Sequence, residues 1–175
     1  HGHGTYTFAG GRVKKGIWIR DKYQCEDSPT DDRKTRSEWD GCSGTYTILY
    51  GKWKGTKYSG QWKEGAPHGD GRESHPKGWS YEGGWKDGRR HGEGTQIAPN
   101  GYKYFGMFRN GKPHGKGRQI SPNGDKFVGA FEFGLPHGGG TLTLARGIQF
   151  LGKWANGNAY GLVTKIYIYG VNIQG

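Results

Sequence analysis

From residue 58 onward, aromatic residues and glycines return in a fixed order. Tyr58, Gly60 and Trp62 alternate, and Gly65, His68, Gly69 and Gly71 follow, closing near Gly78. The same order reappears 23 residues later at Tyr81, Gly83, Trp85, Gly88, His91, Gly92, Gly94 and Gly101. It recurs from Tyr104 and Phe108, then from Phe127 and Phe131; a fifth unit opens at Phe150, Gly152 and Trp154 and fades, with Tyr160-Gly161 in the His-Gly place. A period of two puts Tyr81, Gly83 and Trp85 on one face of a strand. Lys86-Asp87-Gly88 supplies turn chemistry, a second strand runs from Gly94 to Ala98, and Pro99-Asn100-Gly101 turns the chain again. Each repeat is thus predicted to be one β-hairpin.

The margins follow the pattern less well. Residues 1–24 fit as degenerate repeats, with Lys14, Gly16 and Trp18 in the Tyr, Gly and Trp places, although Asp21 stands where a turn glycine belongs. Residues 25–57 break the register: Glu26 to Asp40 reads as a polar, acidic insertion loop, and Gly44-Thr45-Tyr46-Thr47 echoes Gly4-Thr5-Tyr6-Thr7 as a degenerate unit. The regular array spans 58–161. Residues 162–175 read as a C-terminal capping strand whose poor alternation implies cover on both faces. The opening His1-Gly2-His3-Gly4 starts in mid-repeat, as expected of a piece of something longer.

The order Tyr-x-Gly-x-Trp-x-x-Gly-x-x-His-Gly-x-Gly resembles the MORN (membrane occupation and recognition nexus) repeat, strongly over 58–161 and weakly over 1–24. The resemblance implies an all-β fold: an elongated, single-layer antiparallel ribbon or half-pipe of tandem hairpins. Its structural spine would be Tyr58, Trp62, Tyr81, Trp85, Tyr104, Phe108, Phe127, Phe131, Phe150 and Trp154. From the residues themselves, each repeat's rings are expected to lie on the next repeat's glycine, so that every unit depends on its neighbours.

Composition supports a ribbon over an ordinary core. The chain has 36 Gly and only 31% hydrophobic residues, too few for a compact aliphatic interior, yet its 14% aromatic content is unlike disorder. The formal charge is +11, interrupted at residues 21–40 by seven Asp/Glu against four Lys/Arg. Such a balance suits anionic partners. Lys63, Lys86, Arg89, Arg90, Arg109, Lys112, Lys116 and Arg118 recur at turn and flanking positions and are expected to line one basic edge. Cys25 and Cys42 read as two ordinary thiols, since no second pair completes a four-cysteine zinc site. No apolar run approaches the length that spans a membrane.

Candidate chemistry is sparse. His68, His91, His114 and His137 are evenly spaced, but hairpin rungs about 9–10 Å apart keep two of them from sharing one zinc ion. They read as residues that pack and hydrogen-bond at the turn, and His75 as a surface residue. Gly92-Glu93-Gly94 lacks the remainder of a phosphate-binding loop, and no serine sits in a nucleophile elbow. No catalytic, metal or cofactor site is therefore expected. The reading is a non-catalytic scaffold for protein partners in a larger assembly, ciliary, axonemal or cytoskeletal, inside the cell. The alternatives are an anionic phospholipid-binding module and an accessory domain of a larger enzyme. Nucleic acid is disfavoured because the spine already occupies the aromatics. Self-association through the ribbon edges stays open.

Overall fold

The computed structural model describes residues 2–7, 13–19, 22–25 and 39–167. The chain divides into two compact units, residues 1–89 and 90–175. Among the described residues every regular element is a strand, as the repeat pattern predicts.

The first unit contains β1 (Gly2–Thr7), β2 (Val13–Ile19), β3 (Lys22–Gln24), β4 (Cys42–Thr47), β5 (Lys57–Lys63), β6 (Ala66–Ser74) and β7 (Ser80–Lys86), each paired with the next. All pairings are antiparallel except β3 with β4, a parallel contact at Gln24 and Ser43. The second unit contains β8 (Arg89–Ile97), β9 (Lys103–Arg109), β10 (Lys112–Ile120), β11 (Lys126–Glu132), β12 (Leu135–Thr143), β13 (Ile148–Ala155) and β14 (Asn158–Tyr167), antiparallel throughout.

Local sequence explains these hairpins. Glu64-Gly65, Asp87-Gly88, Asn110-Gly111, Phe133-Gly134 and Asn156-Gly157 all have positive φ at both residues. Two such residues make the tight turn whose twist matches that of the flanking strands. Each turn glycine also donates its N–H to the preceding repeat, as Gly88 does to the Pro67 carbonyl and Gly134 to that of Pro113, both at 2.9 Å. The His-Gly pair has a different purpose. Trp62 faces Pro67 while Gly60 faces Gly71, so the intervening segment of β6 is longer than that of β5. His68-Gly69 therefore sits in a β-bulge, with Gly69 at φ 64°, and Gly92, Gly115 and Gly138 adopt similar angles.

In each unit the core is a file of rings on one face. Tyr81 and Tyr104 are fully buried, and Tyr58, Trp62, Phe108, Phe127 and Phe131 nearly so. The Tyr58, Tyr81 and Tyr104 hydroxyls each donate to the carbonyl three residues on, at 2.8–2.9 Å. That hydrogen bond folds each ring back over its own strand. A methyl at Gly71 would strike Tyr58, and one at Gly117 would strike Tyr104. The rings therefore cover a glycine of their own hairpin, which corrects the expectation that they cover the next one. The reason is that Gly60 and Gly71 are register partners, as are Gly106 and Gly117, so the closest bare backbone lies across the same hairpin.

Neighbouring repeats are joined by the second aromatic. Trp85 meets Tyr58 edge-to-face at 5.1 Å and donates its indole N–H to the Gly71 carbonyl at 3.2 Å. Trp154 does the same with Phe127, at 5.1 Å, and with the Gly140 carbonyl, at 3.3 Å. Phe131 meets Tyr104 at 4.9 Å with no polar bond to make. Such pairs contribute roughly 0.5–1.5 kcal/mol beyond the area they bury. Phe150 departs from the expected spine and is only half-buried, because among the described residues it meets the Lys165 ammonium, at 5.9 Å, where its counterparts meet a ring.

Two further corrections concern the ends of the array. Cys25 and Cys42 are not separate thiols but a disulfide. Gln24 and Ser43 pair, and the Cys25 N–H donates to the Ser43 carbonyl at 2.8 Å, which sets the two side chains opposite each other. The insertion is also shorter than expected at its C-terminal end. Trp39 is buried against Trp62, 4.9 Å between ring centres, and its carbonyl accepts from the Gly65 N–H as Pro67 accepts from Gly88. Asp31-Asp32 and the rest of the acidic stretch to Glu38 lie outside the described residues. At the other end, β14 is mostly exposed, with Leu162 at 99%, so the expected cover on both faces is absent from the described strand.

Candidate functional site

The tyrosine and tryptophan side chains of the repeats are consumed internally. Tyrosine hydroxyls close on carbonyls of their own strand, and tryptophan N–H groups close on the preceding repeat. Burial pushes the Tyr58 and Tyr104 hydroxyls well above the ordinary tyrosine range, with the Asp70 charge adding to the effect at Tyr58. Of the histidines, His68 Nδ1 lies 3.5 Å from the Asp87 carboxylate and His137 Nε2 lies 3.4 Å from that of Glu132. Both carboxylates belong to hairpin turns or the strand end beside one, so these two histidines do contact the turn. His114 instead borders a cleft with Arg109, Lys112 and Phe133. His75 is engaged too: its ring meets Trp53 edge-to-face at 6.0 Å, and its Nδ1 accepts from the Lys77 N–H. Among the described residues no three His, Cys, Asp or Glu side chains converge as metal ligands would.

The eight basic residues occupy three places rather than one edge. Lys63 and Lys86 end β5 and β7 at the tips of their hairpins, and Arg109 pairs with Lys112 across the Asn110-Gly111 turn. Arg89 opens β8 directly after a turn and is exposed. Arg90, by contrast, donates from Nη1 to Gln96 Oε1 at 3.0 Å, and Gln96 is the register partner of Tyr104. Arg90 therefore belongs to the ring-bearing face. Lys116 and Arg118 face the opposite way, because they pair with Ala130 and Val128 and the alternating strand separates them from Gly117. Strand alternation is the physical reason for the split: Pro113 faces Phe108 and Gly117 faces Gly106, so the two residues added by the bulge leave the alternation of β10 unchanged, and Lys116 and Arg118 fall on the face away from the rings.

Exposed apolar side chains were not singled out from the sequence, and the structure contains several. In the first unit, Tyr50 is 74% exposed and Trp53 56%, on the long connection 48–56, with Trp79 on the connection between β6 and β7. Lys52 stands 5.4 Å from the Trp53 ring. In the second unit, Phe133 is 72% exposed at a turn position with φ 51°, where the other hairpins place Glu, Asp or Asn. Val128 and Leu151 are about half-exposed on the face away from the rings. A signal for Phe133, Val128 and Leu151 was available: they fill places that are polar in other repeats of the same chain.

Comparison with known families gives a match to the MORN repeat over residues 1–11, 58–80, 81–101, 104–126 and 127–149. No curated protein matches the chain.

Proposed function

Because the chain belongs to the MORN-repeat family, we propose that it is a non-catalytic scaffold that holds protein partners within a larger assembly. One observation carries the reading. The recurring tyrosine hydroxyls and tryptophan N–H groups are already satisfied within the sheets, and the groups turned to solvent include those that vary between repeats: basic tips and isolated apolar side chains. Groups of that kind recognise surfaces; they do not form the nucleophile, base and oxyanion constellation of a catalyst. The ciliary, axonemal or cytoskeletal setting is supported by the resemblance. The Cys25–Cys42 bridge weighs against a reducing cytosol, and an intracellular setting requires that pair to be reduced or shielded there.

A second reading has its own observation. Tyr50, Trp53 and Trp79 are exposed beside Lys52, Lys54 and Lys77, a combination that suits an anionic lipid headgroup layer. The accessory-domain reading is supported by the open face of β14, against which a further domain could pack.

The test compares the native chain with a variant in which Lys63, Lys86, Arg109 and Lys112 are all changed to Gln, at physiological salt. Cross-linking in cell extract, followed by binding of the purified cross-linked protein, reads the scaffold function. Flotation with phosphatidylserine vesicles reads the lipid function. The scaffold reading expects a purified partner that binds the native chain and loses affinity for the variant, with no flotation. Flotation that survives the salt and disappears when Lys52, Lys54 and Lys77 are changed to Gln would replace it with the lipid reading.

A further inference from the structure

The second unit has two unlike sheet faces. One bears the buried rings. On the other, the strand registers align Phe105 with Arg118, Arg118 with Val128, Val128 with Thr141, and Thr141 with Leu151. Phe105, Val128 and Leu151 thus stand in one row, 23 residues apart in sequence and two strands apart in space. Val128 is 54% exposed and Leu151 49%, and the Arg118 guanidinium lies 5.2 Å from the Phe105 ring centre.

The repeat itself does not require this row to be apolar. In the first unit the same place is filled by Ser59 and Glu82, each in an antiparallel ladder of the same register, opposite Arg72. A strand that is sound with Ser or Glu at that position has no structural need for Val or Leu there. Exposed apolar side chains gathered in a row commonly mark contact surfaces.

The rows on either side supply charge. Lys103 and Lys126 lie on one flank, and Lys116 and Lys153 on the other, all exposed. With Arg118 they face a single carboxylate in these rows, Glu93. The geometry also has a pitch. Two strands span roughly 9–10 Å, and seven residues of an α-helix span about 10.5 Å. Apolar side chains at heptad spacing on a helix laid across the strands would meet Phe105, Val128 and Leu151 nearly in step.

We infer that this face of the second unit docks an acidic amphipathic helix, with its apolar stripe on Phe105, Val128 and Leu151 and its carboxylates on the flanking lysines and Arg118. The inference rests on the scaffold reading, adds a second contact surface to the basic tips, and names the chemistry of the partner segment that it takes. A second copy of the chain does not fit, because it would set the same cations against one another. A bilayer fits less well: the row consists of Val, Leu and a Phe paired with the Arg118 guanidinium, without the exposed Trp and Tyr that settle at a headgroup layer.

The probe is a synthetic three-heptad helix with Leu on one face and Glu flanking it, beside a control with Lys in place of Glu. Affinity is read by fluorescence anisotropy, and location by amide chemical-shift mapping on the native chain. The Glu helix is expected to bind saturably and to shift β9, β11 and β13, whereas the Lys helix does not bind. The double variant Val128→Thr/Leu151→Thr keeps branched or strand-compatible residues at exposed places, so its circular dichroism and melting should be unchanged while affinity falls by about tenfold or more. Absence of saturable binding, equal binding by both chains, or shifts confined to the ring face or the tips would overturn the inference. So would flotation with phosphatidylserine vesicles that the double variant abolishes, since the row would then be a bilayer contact. If the helix fails while the purified cross-linked partner still binds, the docking surface is wrong and the scaffold reading stands.

Discussion

Gly117→Ala isolates what the repeat glycine does. Gly117 does not adopt the left-handed backbone region, so an alanine there meets no backbone penalty. A free chain with one more methyl has less entropy to lose on folding, and on those grounds alone the substitution would stabilise by about 0.4–1 kcal/mol. Packing opposes it. The added carbon would lie 2.6 Å from Tyr104 Cζ and 2.7 Å from Cε2, well inside contact distance. The ring must therefore lift. Overpacking of this kind costs about 1–3 kcal/mol. Lifting the ring also gives up the hydroxyl bond to the Met107 carbonyl, about 0.5–1.5 kcal/mol, and exposes part of a residue now fully buried. The expected net loss is about 1–4 kcal/mol, a large share of a domain's stability. Urea unfolding followed by circular dichroism and tryptophan fluorescence measures it. The decisive control is Gly117→Ala in a Tyr104→Val background, where the side chain ends before it reaches the glycine. There the alanine should be neutral or stabilising. If the alanine costs the same in both backgrounds, the ring is not what the glycine accommodates, and the account of the spine fails.

Three further outcomes are expected. Phe133→Asn should raise stability by roughly 0.5–1 kcal/mol, because a half-turn residue at φ 51° that is largely exposed gives up little packing; a fall in the melting temperature would show that the phenyl ring is held by contacts that outweigh its backbone strain. Cys25→Ser/Cys42→Ser should cost about 3 kcal/mol, the value for closing a loop of this length, with lost hydrogen-exchange protection in β3 and β4 and unchanged protection in β9 to β12. Tyr58 and Tyr104 have hydroxyls raised above the ordinary range by burial, so the fold keeps protons that the unfolded chain releases above pH of about 10. Their contribution is fully present below that pH and is lost as pH rises through the folded values; tyrosinate absorbance from these two should appear only as the sheet signal falls, and early ionisation with the fold intact would contradict their burial.

The connection between sequence and structure differs from one element to another. Tyr81, Gly83 and Trp85 could be assigned to one strand face because alternation is a local property, and the turns at 87–88 and 110–111 could be located because positive φ is affordable only to a few residue types. Cross-strand partners were beyond such reasoning. The two-residue bulge at His114-Gly115 shifts the register so that Gly117, not Gly115, faces Gly106, and the shift is visible only once both strands are paired. Cys25 and Cys42 were likewise indeterminate, since 17 residues of separation fit a bridge or two thiols equally well until β3 and β4 meet.

By itself, then, the order of residues determined the hairpin, its length, its turns and its 23-residue repetition, because these follow from backbone sterics and from side chains within a few positions of one another. The tertiary structure decided which glycine each ring covers, which thiols join, and that Phe105, Val128 and Leu151 form a row among lysines. Those are matters of register between strands, set by the summed packing of many residues, and no single segment of the chain contains them.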